Sequence, residues 1–440
     1  MNDKVSRYNI EIENDNCILL YNTLSNKILP ISFKDYASIE TLLEYLPEFQ
    51  GIYPNLYNAF KKSGFIINQE FDELAFIKLE NKKRIYCHNN YRITINPTLD
   101  CNLKCWYCSV NYTGAKHNKE KMSDDVITNI NNHIQFLATT QNAKSITLDW
   151  FGGEPLMYFD EVISKISNFT KNIALKNNVT FSQIITTNAT LLNIDRIKQM
   201  RDHNFAFFQI TLDGNEQRHN EIKYYSDKRG TYKDIVNNIN LICEFIPNVQ
   251  IVLRINYDMQ TLKNIQDILN DISENSKRCI TIDFQRVWQV QCTDEIRQLL
   301  QKAKEDIKKS GFRSGFWAYR PQTFQRCYAD SFHYYVINFN GKIFKCTARD
   351  YGEDKVIGIL QPSGIIDWND GLLGKIYESM PFENERCEKC NMLPICMGPC
   401  VQKNYDARVY KGSVPCLYEK AEYSLSSYVI DQARYRNLIK

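Results

Sequence analysis

The chain has 440 residues, of which 43% are hydrophobic, so it is long enough for two or three folded units with cores of their own. Its formal net charge is only +3, with basic and acidic residues interleaved, so charge gives no reason to expect a nucleic-acid partner. No stretch of about eighteen apolar residues occurs and the first residues do not form a basic-then-apolar leader, so we expect a cytoplasmic protein without a membrane span.

The first segment, residues 1–85, predicts a small α+β lobe; the first eighty residues are acidic, whereas the rest of the chain is basic. Alternating apolar residues between turn residues predict three short strands, then two helices and a closing strand. The strands are expected at 8–13, 16–23, 26–32 and 64–68, and the helices at 34–46 and 53–64. No repeat or low-complexity linker occurs, and we place the domain boundaries near residues 85 and 310.

From residue 92 the pattern changes to strands that alternate with helices. Strands are predicted at 92–98, 145–151, 182–188, 206–212, 250–256 and 280–285. The first helix is typical, because Ser123 is a good N-cap and apolar residues from Val126 to Leu137 recur at helical spacing. The series predicts an α/β fold, a partial (β/α)6 barrel of the TIM type over residues 86–310, with its active site at the carboxyl ends of the strands.

Three cysteines, Cys101, Cys105 and Cys108, follow the first barrel strand with spacers of three and two residues. Clustered thiols in a reducing compartment indicate metal or iron–sulfur ligands rather than disulfides. Three thiolates around a four-iron cube leave one iron free to bind a small molecule, which is a catalytic feature. A structural zinc site is the alternative, but such sites usually close with four ligands, and no further Cys or His lies nearby.

The stretch CNLKCWYC resembles the signature of the radical S-adenosylmethionine (SAM) superfamily, including an aromatic residue, Tyr107, directly before the third cysteine. The segment Gly152, Gly153, Glu154 and Pro155, after the second strand, matches the family's GGEP segment, which contacts the amino group of SAM. Glycines permit close backbone approach at such a turn.

The same resemblance implies further SAM contacts at the ends of later strands. Thr211 and Asp213 belong to a TLDG segment after the fourth strand, Arg254 lies on the fifth, and Asn188 follows the third. For Arg254, a solvent-exposed edge charge is the open alternative. The family's chemistry is reductive cleavage of SAM to methionine and a 5′-deoxyadenosyl radical, which abstracts hydrogen from a substrate that the barrel holds in position.

Seven more cysteines lie toward the C-terminus, at spacings that resemble the SPASM domain, a twin-cluster extension of radical SAM enzymes that modify peptides and proteins. A zinc ribbon would use only four of these thiols. The resemblance implies one auxiliary cluster on Cys327, Cys346 and Cys400, and another on Cys387, Cys390, Cys396 and Cys416, within a SPASM segment at 311–440. With the three-thiol loop this makes three [4Fe-4S] clusters.

The first auxiliary cluster lacks an obvious fourth ligand. We expect an open or non-cysteine position there, with Cys292 as the lesser option; unchanged iron content in Cys292→Ala would support openness. The remaining cysteines, Cys17, Cys87, Cys243 and Cys279, are expected to have no chemical role. Among the histidines, His219 is a candidate to line the site, and His133 is expected on a helix surface.

The order of elements in the N-terminal lobe resembles the winged-helix leader-recognition elements of enzymes that mature ribosomally made peptides (RiPP maturases). Such a lobe binds an extended leader by adding it as a strand to a sheet edge. The predicted function is therefore a radical SAM peptide maturase that forms a thioether or carbon–carbon cross-link or an epimer. Its partners would be a precursor peptide and a low-potential electron donor, and no catalytic acid or base is assigned.

Three alternatives remain open from the sequence. The lobe can be a packing domain that only shields the barrel. The enzyme can be an anaerobic sulfatase-maturing enzyme, although the catalytic acid of that family follows the second SPASM cysteine, where this chain has Thr347, with Asp350 three residues further on. A non-enzymatic electron carrier is the third alternative, and formation of 5′-deoxyadenosine from SAM separates it from both enzymes.

Overall fold

The computed structural model describes residues 2–108, 110, 120–314, 324–348, 350–410, 412–417 and 424–439. Within this part the chain forms two compact units. One consists of Met1–Tyr86, Trp317–Ser331 and Lys375–Lys440, and the other of Cys87–Phe316 and Phe332–Gly374. The three sequence segments stay a prediction as domains; in space, the first segment and most of the last belong to one unit.

The N-terminal segment has a strand or helix at each position that the sequence indicated. Its elements are β1 (Asp3–Val5), β2 (Asn9–Asn14), β3 (Cys17–Asn22), β4 (Lys27–Ile31), α1 (Phe33–Glu44), α2 (Leu46–Ile52), α3 (Pro54–Lys62), β5 (Ile66–Asn68) and α4 (Glu73–Ile85). β2, β3 and β4 form an antiparallel meander, and β1 pairs with β5. Phe49, Phe60 and Phe65 are buried and contact one another in the core between sheet and helices.

The second segment forms the predicted α/β barrel sheet. Its elements are β6 (Asn90–Ile95), α5 (Asp124–Thr139), β7 (Ser145–Trp150), α6 (Ser164–Lys176), β8 (Thr180–Thr187), α7 (Ile194–Asp202), β9 (Phe205–Thr211), α8 (Glu216–Ile222), α9 (Tyr232–Phe245), β10 (Gln250–Tyr257), α10 (Met259–Lys263), α11 (Ile265–Asp271), α12 (Glu274–Lys277), β11 (Ile280–Arg286), α13 (Asp294–Lys309) and β12 (Arg313–Ser314). From β6 to β12 the strands pair in chain order and run parallel, which confirms the fold prediction. Ser123 caps α5 by accepting the Val126 N–H, as predicted.

The two faces of the barrel sheet differ in burial. In β9, Phe208 and Ile210 are fully buried under the helices, whereas Gln209 and Thr211, which alternate with them, are half-buried. Arg254 continues the half-buried face on β10. Because alternate residues of a strand point to opposite faces, the inner face of the sheet, which lines the lumen of the barrel, is polar and half-buried.

Strands from beyond residue 310 extend the same sheet on its other side. These are β13 (Tyr334–Ile337), β14 (Lys342–Phe344), β15 (Gly358–Leu360) and β16 (Ile366–Trp368). β13 runs parallel to β6, with Tyr334 opposite Arg92, and the other three follow as antiparallel neighbours. The sequence did not indicate that β13 is a neighbour of β6, because the two strands are far apart along the chain.

The prediction that His133 lies on a helix surface is wrong. Its imidazole on α5 is buried, with Nδ1 donating to the Gly364 carbonyl at 2.6 Å and Nε2 accepting from the Tyr335 hydroxyl at 2.5 Å. Loss of hydration lowers the pKa of His133 to about 4, so the ring is neutral at pH 7. The histidine therefore joins α5 to β13 and to the turn between β15 and β16.

The C-terminal segment continues with short helices, many of them around cysteines. These are α14 (Asp370–Tyr377), α15 (Glu385–Glu388), α16 (Leu393–Cys396), α17 (Val401–Val409) and α18 (Leu425–Tyr435). A buried cluster joins this segment to the N-terminal one, with Tyr8, Ile77 and Ile85 packed against Phe382 and Leu393. In the described ranges, no helix combines the length and the apolar character needed to cross a bilayer.

Candidate functional site

The three-thiol loop leaves the end of β6 and is held by local hydrogen bonds. Thr98 Oγ1 accepts the Asp100 N–H at 3.0 Å, and the Asp100 carboxylate accepts the Cys101 N–H at 3.0 Å. Within the loop, the Leu103 N–H points at the Cys101 sulfur at 3.4 Å, and Cys108 N–H donates to the Cys105 carbonyl. These local hydrogen bonds fold the loop back on itself.

Burial raises the pKa of two of these thiols, Cys101 and Cys105. Loss of hydration, and then the neighbouring Glu154 carboxylate and the other two thiols, raise the pKa of Cys101. Loss of hydration, with Asp213 and Cys108, raises the pKa of Cys105 to about 12. A metal ion binds the thiolate form and releases the proton, so buried thiols of raised pKa can still serve as metal ligands. The three thiols therefore fit an iron–sulfur cluster.

A cluster differs from a single ion in the spacing that it needs. In the described part of the chain, no group of three or more His, Cys, Asp or Glu side chains converges on a point where one ion would sit. A four-iron cube binds each thiolate through a different iron, so its ligands stay further apart than the ligands of one zinc.

The two glycines of the GGEP segment pack directly on the cysteine loop. Gly152 has φ +119°, and a Cβ there would lie 2.2 Å from the Thr98 carbonyl oxygen. A Cβ on Gly153 would lie 1.9 Å from the Asp100 carbonyl oxygen. The Gly153 and Glu154 N–H groups donate to these same two carbonyls, at 3.1 and 2.8 Å. Only glycine permits this approach, which fixes the start of the loop against the end of β7.

The Glu154 side chain lies inside the protein and joins two strand ends. Its carboxylate accepts from the Thr187 hydroxyl at 2.7 Å and from the Leu156 and Asn188 N–H groups at 3.0 and 2.8 Å. Loss of hydration raises the pKa of Glu154 to about 7, against these hydrogen bonds. Asn188 Nδ2 lies 3.8 Å from the Cys101 sulfur, so the end of β8 also contacts the cysteine loop.

A buried polar network surrounds Asp213 at the end of β9. The Lys223 ammonium lies 2.9 Å from Asp213 Oδ2 and 2.5 Å from Thr211 Oγ1, with both charged side chains almost fully buried. The Tyr107 hydroxyl donates to the Asp213 carboxylate, and Asn256 Nδ2 donates to Tyr107 at 3.2 Å and to Asp213 at 3.3 Å. The aromatic residue of the cysteine loop is therefore tied to β9 and β10.

His219 on α8 hydrogen bonds to the backbone of this network. The Asp213 N–H donates to His219 Nδ1 at 3.1 Å, and His219 Nε2 lies 3.0 Å from the Thr231 hydroxyl. Loss of hydration and the nearby Lys223 charge lower the pKa of His219 to about 3, so the ring is neutral and its Nε2 carries the hydrogen. The imidazole is fully buried, so it supports the site rather than lining it.

Sequence reasoning missed Lys223 and Asn256. The period-two alternation of β10 could have placed Asn256 on the same inner face as Arg254. The sequence pattern gives no signal for Lys223, which lies at the end of α8. Its contacts with Asp213 and Thr211 form only when the chain is folded. Its charge lies close enough to lower the pKa of the Cys105 thiol, in opposition to the larger effect of lost hydration.

Arg254 stands in the lumen between two strands. In the sheet register it lies opposite Thr211 on one side and Asp283 on the other. Its Nε is 3.6 Å from Asp283 Oδ2, and about a third of its side chain is exposed. Asp283 also accepts from Gln285 Nε2 at 3.0 Å. Arg254 therefore faces inward, which excludes the alternative of a solvated charge at a sheet edge.

A second ion pair lies on the neighbouring strands β6 and β7. The Arg92 guanidinium donates to the Asp149 carboxylate at 2.5 Å, and the Thr94 hydroxyl lies 2.9 Å from the Tyr334 hydroxyl. Burial raises the pKa of Asp149, although Arg92 opposes the shift. The lumen thus carries fixed charges of both signs on β6, β7, β10 and β11, which suits a polar substrate better than an apolar one.

Three of the thiols predicted for one auxiliary cluster, Cys387, Cys390 and Cys396, lie on or between the short helices α15 and α16, where Cys390 N–H donates to the Cys387 carbonyl. Loss of hydration raises the pKa of Cys387, with smaller contributions from the nearby Cys390 and Cys416 thiols. Loss of hydration also raises the pKa of Cys396, with contributions from Cys387 and Cys390. The Met392 N–H points at the Cys390 sulfur at 3.4 Å. Grouped thiols with amide donors fit an iron–sulfur cluster.

The other predicted auxiliary set is partly assembled by an aspartate. Asp330 accepts the Cys327 N–H at 2.8 Å and the Val401 N–H, next to Cys400, at 2.9 Å. Cys346 follows β14 in the other compact unit, where the Ala348 N–H points at its sulfur at 3.3 Å. Asp330 was not predicted, although its place three residues after Cys327 could have indicated a turn cap. Cys292 lies between β11 and α13.

The position that differs from sulfatase-maturing enzymes is also visible. Thr347 follows Cys346, and the next acid, Asp350, forms an ion pair with Lys355 and accepts the Gly352 N–H at 3.2 Å. An acid held by a lysine and a backbone amide is poorly placed to act as a base.

A parallel α/β barrel whose first loop gathers three thiols at the carboxyl ends of the strands defines a class of iron–sulfur enzymes. Residues 95–272 match the Radical SAM superfamily. The chain therefore has a radical SAM domain and is an enzyme related to sulfatase maturases.

The chain is similar to several known proteins of this group. The cysteine-type anaerobic sulfatase-maturating enzyme of Clostridium novyi is 24% identical over 331 residues, which cover 68% of this chain and 85% of that enzyme. The serine-type enzyme of Klebsiella aerogenes is 31% identical over 150 residues, which are 32% of this chain and 34% of that enzyme. The solved structure of native anSMEcpe with bound AdoMet and Cp18Cys peptide has a TM-score of 0.55 at 15% identity and covers 80% of this chain and 100% of that chain. The likeness to that structure shows a common fold.

Proposed function

We propose that this chain is a radical SAM peptide maturase, which abstracts hydrogen from one residue of a precursor peptide and leaves it cross-linked or epimerised. When bound, the cluster and SAM supply a 5′-deoxyadenosyl radical. The observation that carries the proposal is the half-buried, charged lumen beside the three-thiol loop, because such a space admits a polar substrate and shields a reactive radical from water.

The residues proposed to hold SAM lie around the cysteine loop. Cys101, Cys105 and Cys108 would carry the cluster, and the close backbone of Gly152 and Gly153 leaves room for the amino acid part of SAM. Lys223, almost fully buried and paired with Asp213, would hold Thr211 and Asp213 in place beside SAM. Arg254, with about a third of its side chain exposed and its Nε 3.6 Å from Asp283 Oδ2, would supply the positive charge for the SAM carboxylate.

The peptide partner is proposed from the N-terminal lobe. β4 pairs with β3 and with no other described strand, so one sheet edge can accept an extended leader. Pro30 on β4 has no amide hydrogen, so this strand has one hydrogen-bond donor fewer. Fewer extended peptides can therefore pair with its edge. Exposed apolar side chains on the adjoining helices, Phe33, Tyr45 and Ile52, are suited to leader side chains. The acidic lobe favours a basic leader.

The auxiliary clusters complete the proposal. Cys387, Cys390, Cys396 and Cys416 would hold one cluster, and Cys327, Cys346 and Cys400 the other, with an open or non-cysteine fourth position. These clusters would accept the electron left on the substrate after bond formation and pass it to a redox partner, while a low-potential donor reduces the cluster of the first loop.

The test is anaerobic reconstitution with iron and sulfide, followed by reaction with SAM, a reductant and candidate precursor peptides. We expect 5′-deoxyadenosine in every reaction and a peptide product about 2 Da lighter when a cross-link forms, because two hydrogens leave. Epimerisation leaves the mass unchanged and is detected by deuterium uptake. Formation of 5′-deoxyadenosine with no change in any peptide encoded near this chain would contradict the peptide assignment.

A second candidate is maturation of a sulfatase, favoured by the similarity to the Clostridium novyi enzyme over 68% of this chain. The pairing of Asp350 with Lys355 and the absence of an acid at Thr347 weigh against it. A cysteine-containing sulfatase peptide separates the two functions, because formation of an aldehyde product would support the second candidate, and an unmodified peptide would exclude it.

A further inference from the structure

The N-terminal segment forms part of the scaffold around the second set of cysteines. Tyr8, Ile77 and Ile85 share one buried cluster with Phe382 and Leu393, and Cys387 packs against it. Residues near the start of the chain therefore lie next to thiols almost four hundred positions away.

One hydroxyl of the N-terminal segment contacts the chain directly after Cys390. Thr23, just after β3, is fully buried, and its Oγ1 donates to the Asn391 carbonyl oxygen at 2.6 Å. The peptide group that carries this oxygen also carries the Met392 N–H, which points at the Cys390 sulfur at 3.4 Å. A single peptide plane thus connects the Thr23 hydroxyl to the sulfur of a proposed cluster ligand.

Other contacts hold the same loop. The Arg7 guanidinium donates to the Glu388 carbonyl, and the Lys78 ammonium lies 2.6 Å from the Glu388 carboxylate. The Tyr8 ring is fully buried nearby; loss of hydration raises its pKa to about 12, with a small contribution from the Cys390 thiol. The loop between Cys387 and Cys390 is therefore fixed from the N-terminal side at more than one point.

Hydrogen bonds to cysteine sulfur have a known effect on iron–sulfur clusters. An N–H···S bond removes negative charge from the sulfur and makes the cluster easier to reduce. When the carbonyl of the same peptide group accepts a hydrogen bond, its N–H becomes a stronger donor. A hydroxyl bonded to the carbonyl side of the peptide therefore acts on the sulfur at the other side.

We propose that Thr23 is a positioning residue for the second auxiliary cluster. Through the peptide group between Asn391 and Met392, it orients and strengthens the hydrogen bond to Cys390 and so makes the cluster easier to reduce. This inference rests on the proposed function, in which Cys387, Cys390, Cys396 and Cys416 hold a cluster. The lobe proposed to bind the leader would then also set the redox property of a cluster.

The experiment compares Thr23→Val with Thr23→Ser in the full chain, reconstituted with iron and sulfide. Cluster reduction is followed by EPR during titration with a chemical reductant. We expect the ratio of reduced to oxidised second cluster at a fixed solution potential to fall roughly two- to fivefold in T23V, because one hydrogen bond in the chain is lost. T23S, which keeps the hydroxyl, should match the unchanged chain.

Thr41→Val is the matched control, since the Thr41 hydroxyl on α1 bonds only its own helix, at the Ala37 carbonyl, and lies in the exposed part of the same lobe. Loss of cluster iron in T23V and in T23A, with full iron in T23S, also supports the inference, because the hydroxyl then decides whether Cys390 is held. Equal reduction in all variants would overturn it, and so would a change in T23S as large as in T23V.

The proposed function has a separate test in the same preparations. Iron content of Cys387→Ala reports whether this thiol belongs to a cluster at all. Retention of all iron in C387A would remove the cluster from the proposal, whereas loss of iron in C387A with unchanged reduction in T23V would remove only the role of Thr23.

Discussion

The thiols of the first loop and the thiols from Cys387 to Cys416 are positioned in different ways. Cys101, Cys105 and Cys108 lie in one short loop, which hydrogen bonds to its own backbone and to the adjacent GGEP turn. The thiols from Cys387 to Cys416 are spread over about thirty residues, and their loop is held by Arg7 and Thr23 from the start of the chain.

This difference shows which contacts fix the geometry of each site. The first loop is positioned by contacts with the ends of the barrel strands, so its geometry belongs to the barrel itself. The second set depends on an N-terminal segment that could also respond to a bound peptide. We therefore expect a substitution in the first loop to abolish the function of that site alone. The second set should instead be sensitive to substitutions at residues far away in the sequence.

The largest expected effect comes from Cys105→Ala. Removing one of three ligands from a loop with no spare thiol should remove a cluster of about four irons and abolish 5′-deoxyadenosine formation. Iron analysis and product chromatography measure both effects. Cys17→Ala is the control, because Cys17 on β3 lies outside both thiol sets and should leave the iron content unchanged. Full activity in C105A would break the comparison, since the loop would then not be the site of SAM cleavage.

The buried pair of Lys223 and Asp213 tests how the first loop is anchored. Lys223→Met leaves the Asp213 charge buried without its partner, which should cost about 3–5 kcal/mol of stability. The double variant with Asp213→Asn removes both charges and should recover part of this loss. Chemical unfolding under anaerobic conditions gives the free energies. Additive losses in the double variant would show that the pair is not coupled.

Gly153→Ala tests the packing of the glycine turn on the loop. The added Cβ would meet the Asp100 carbonyl oxygen at 1.9 Å, so we expect a loss of about 1–3 kcal/mol and displacement of the cysteine loop. Gly374→Ala on α14 is the matched control, because nothing lies within 4 Å of its Cβ and alanine favours a helix by up to about 1 kcal/mol. The same unfolding midpoint in both variants would contradict the close packing.

The sequence predicted the barrel strands well, because each carries a compact apolar run bounded by turn residues. It also placed the cysteine loop and the GGEP turn correctly at the strand ends, since local spacing defines both. It could not indicate β13 beside β6, or Lys223 beside Asp213, because these neighbours are separated by intervening helices and leave no periodic pattern. The contact of Thr23 with Asn391 is the extreme case of such a long-range pairing.

The smallest expected effect lies outside both thiol sets, at His133. Its folded pKa of about 4 lies below the ordinary 6.5, so its neutral form favours folding above pH 6.5 and this contribution is lost as the pH falls toward 4. Between pH 7 and pH 5.5 we expect the free energy of unfolding to fall by about 1 kcal/mol from this group.

His133→Gln should remove that part of the pH dependence, and denaturant unfolding at the two pH values measures it. Thr128→Val, at an exposed position of the same helix and without a titratable side chain, is the control and should keep the original slope. An H133Q variant with an unchanged slope would show that the buried imidazole does not carry the effect.

The central claim is that the three-thiol loop carries a four-iron cluster with one iron open to SAM. EPR of the reduced, reconstituted chain with and without SAM tests it most directly. We expect SAM to change the spectrum of one cluster, and Cys108→Ala to abolish that change. A spectrum that SAM leaves unaltered, in a preparation with full iron content, would contradict the claim.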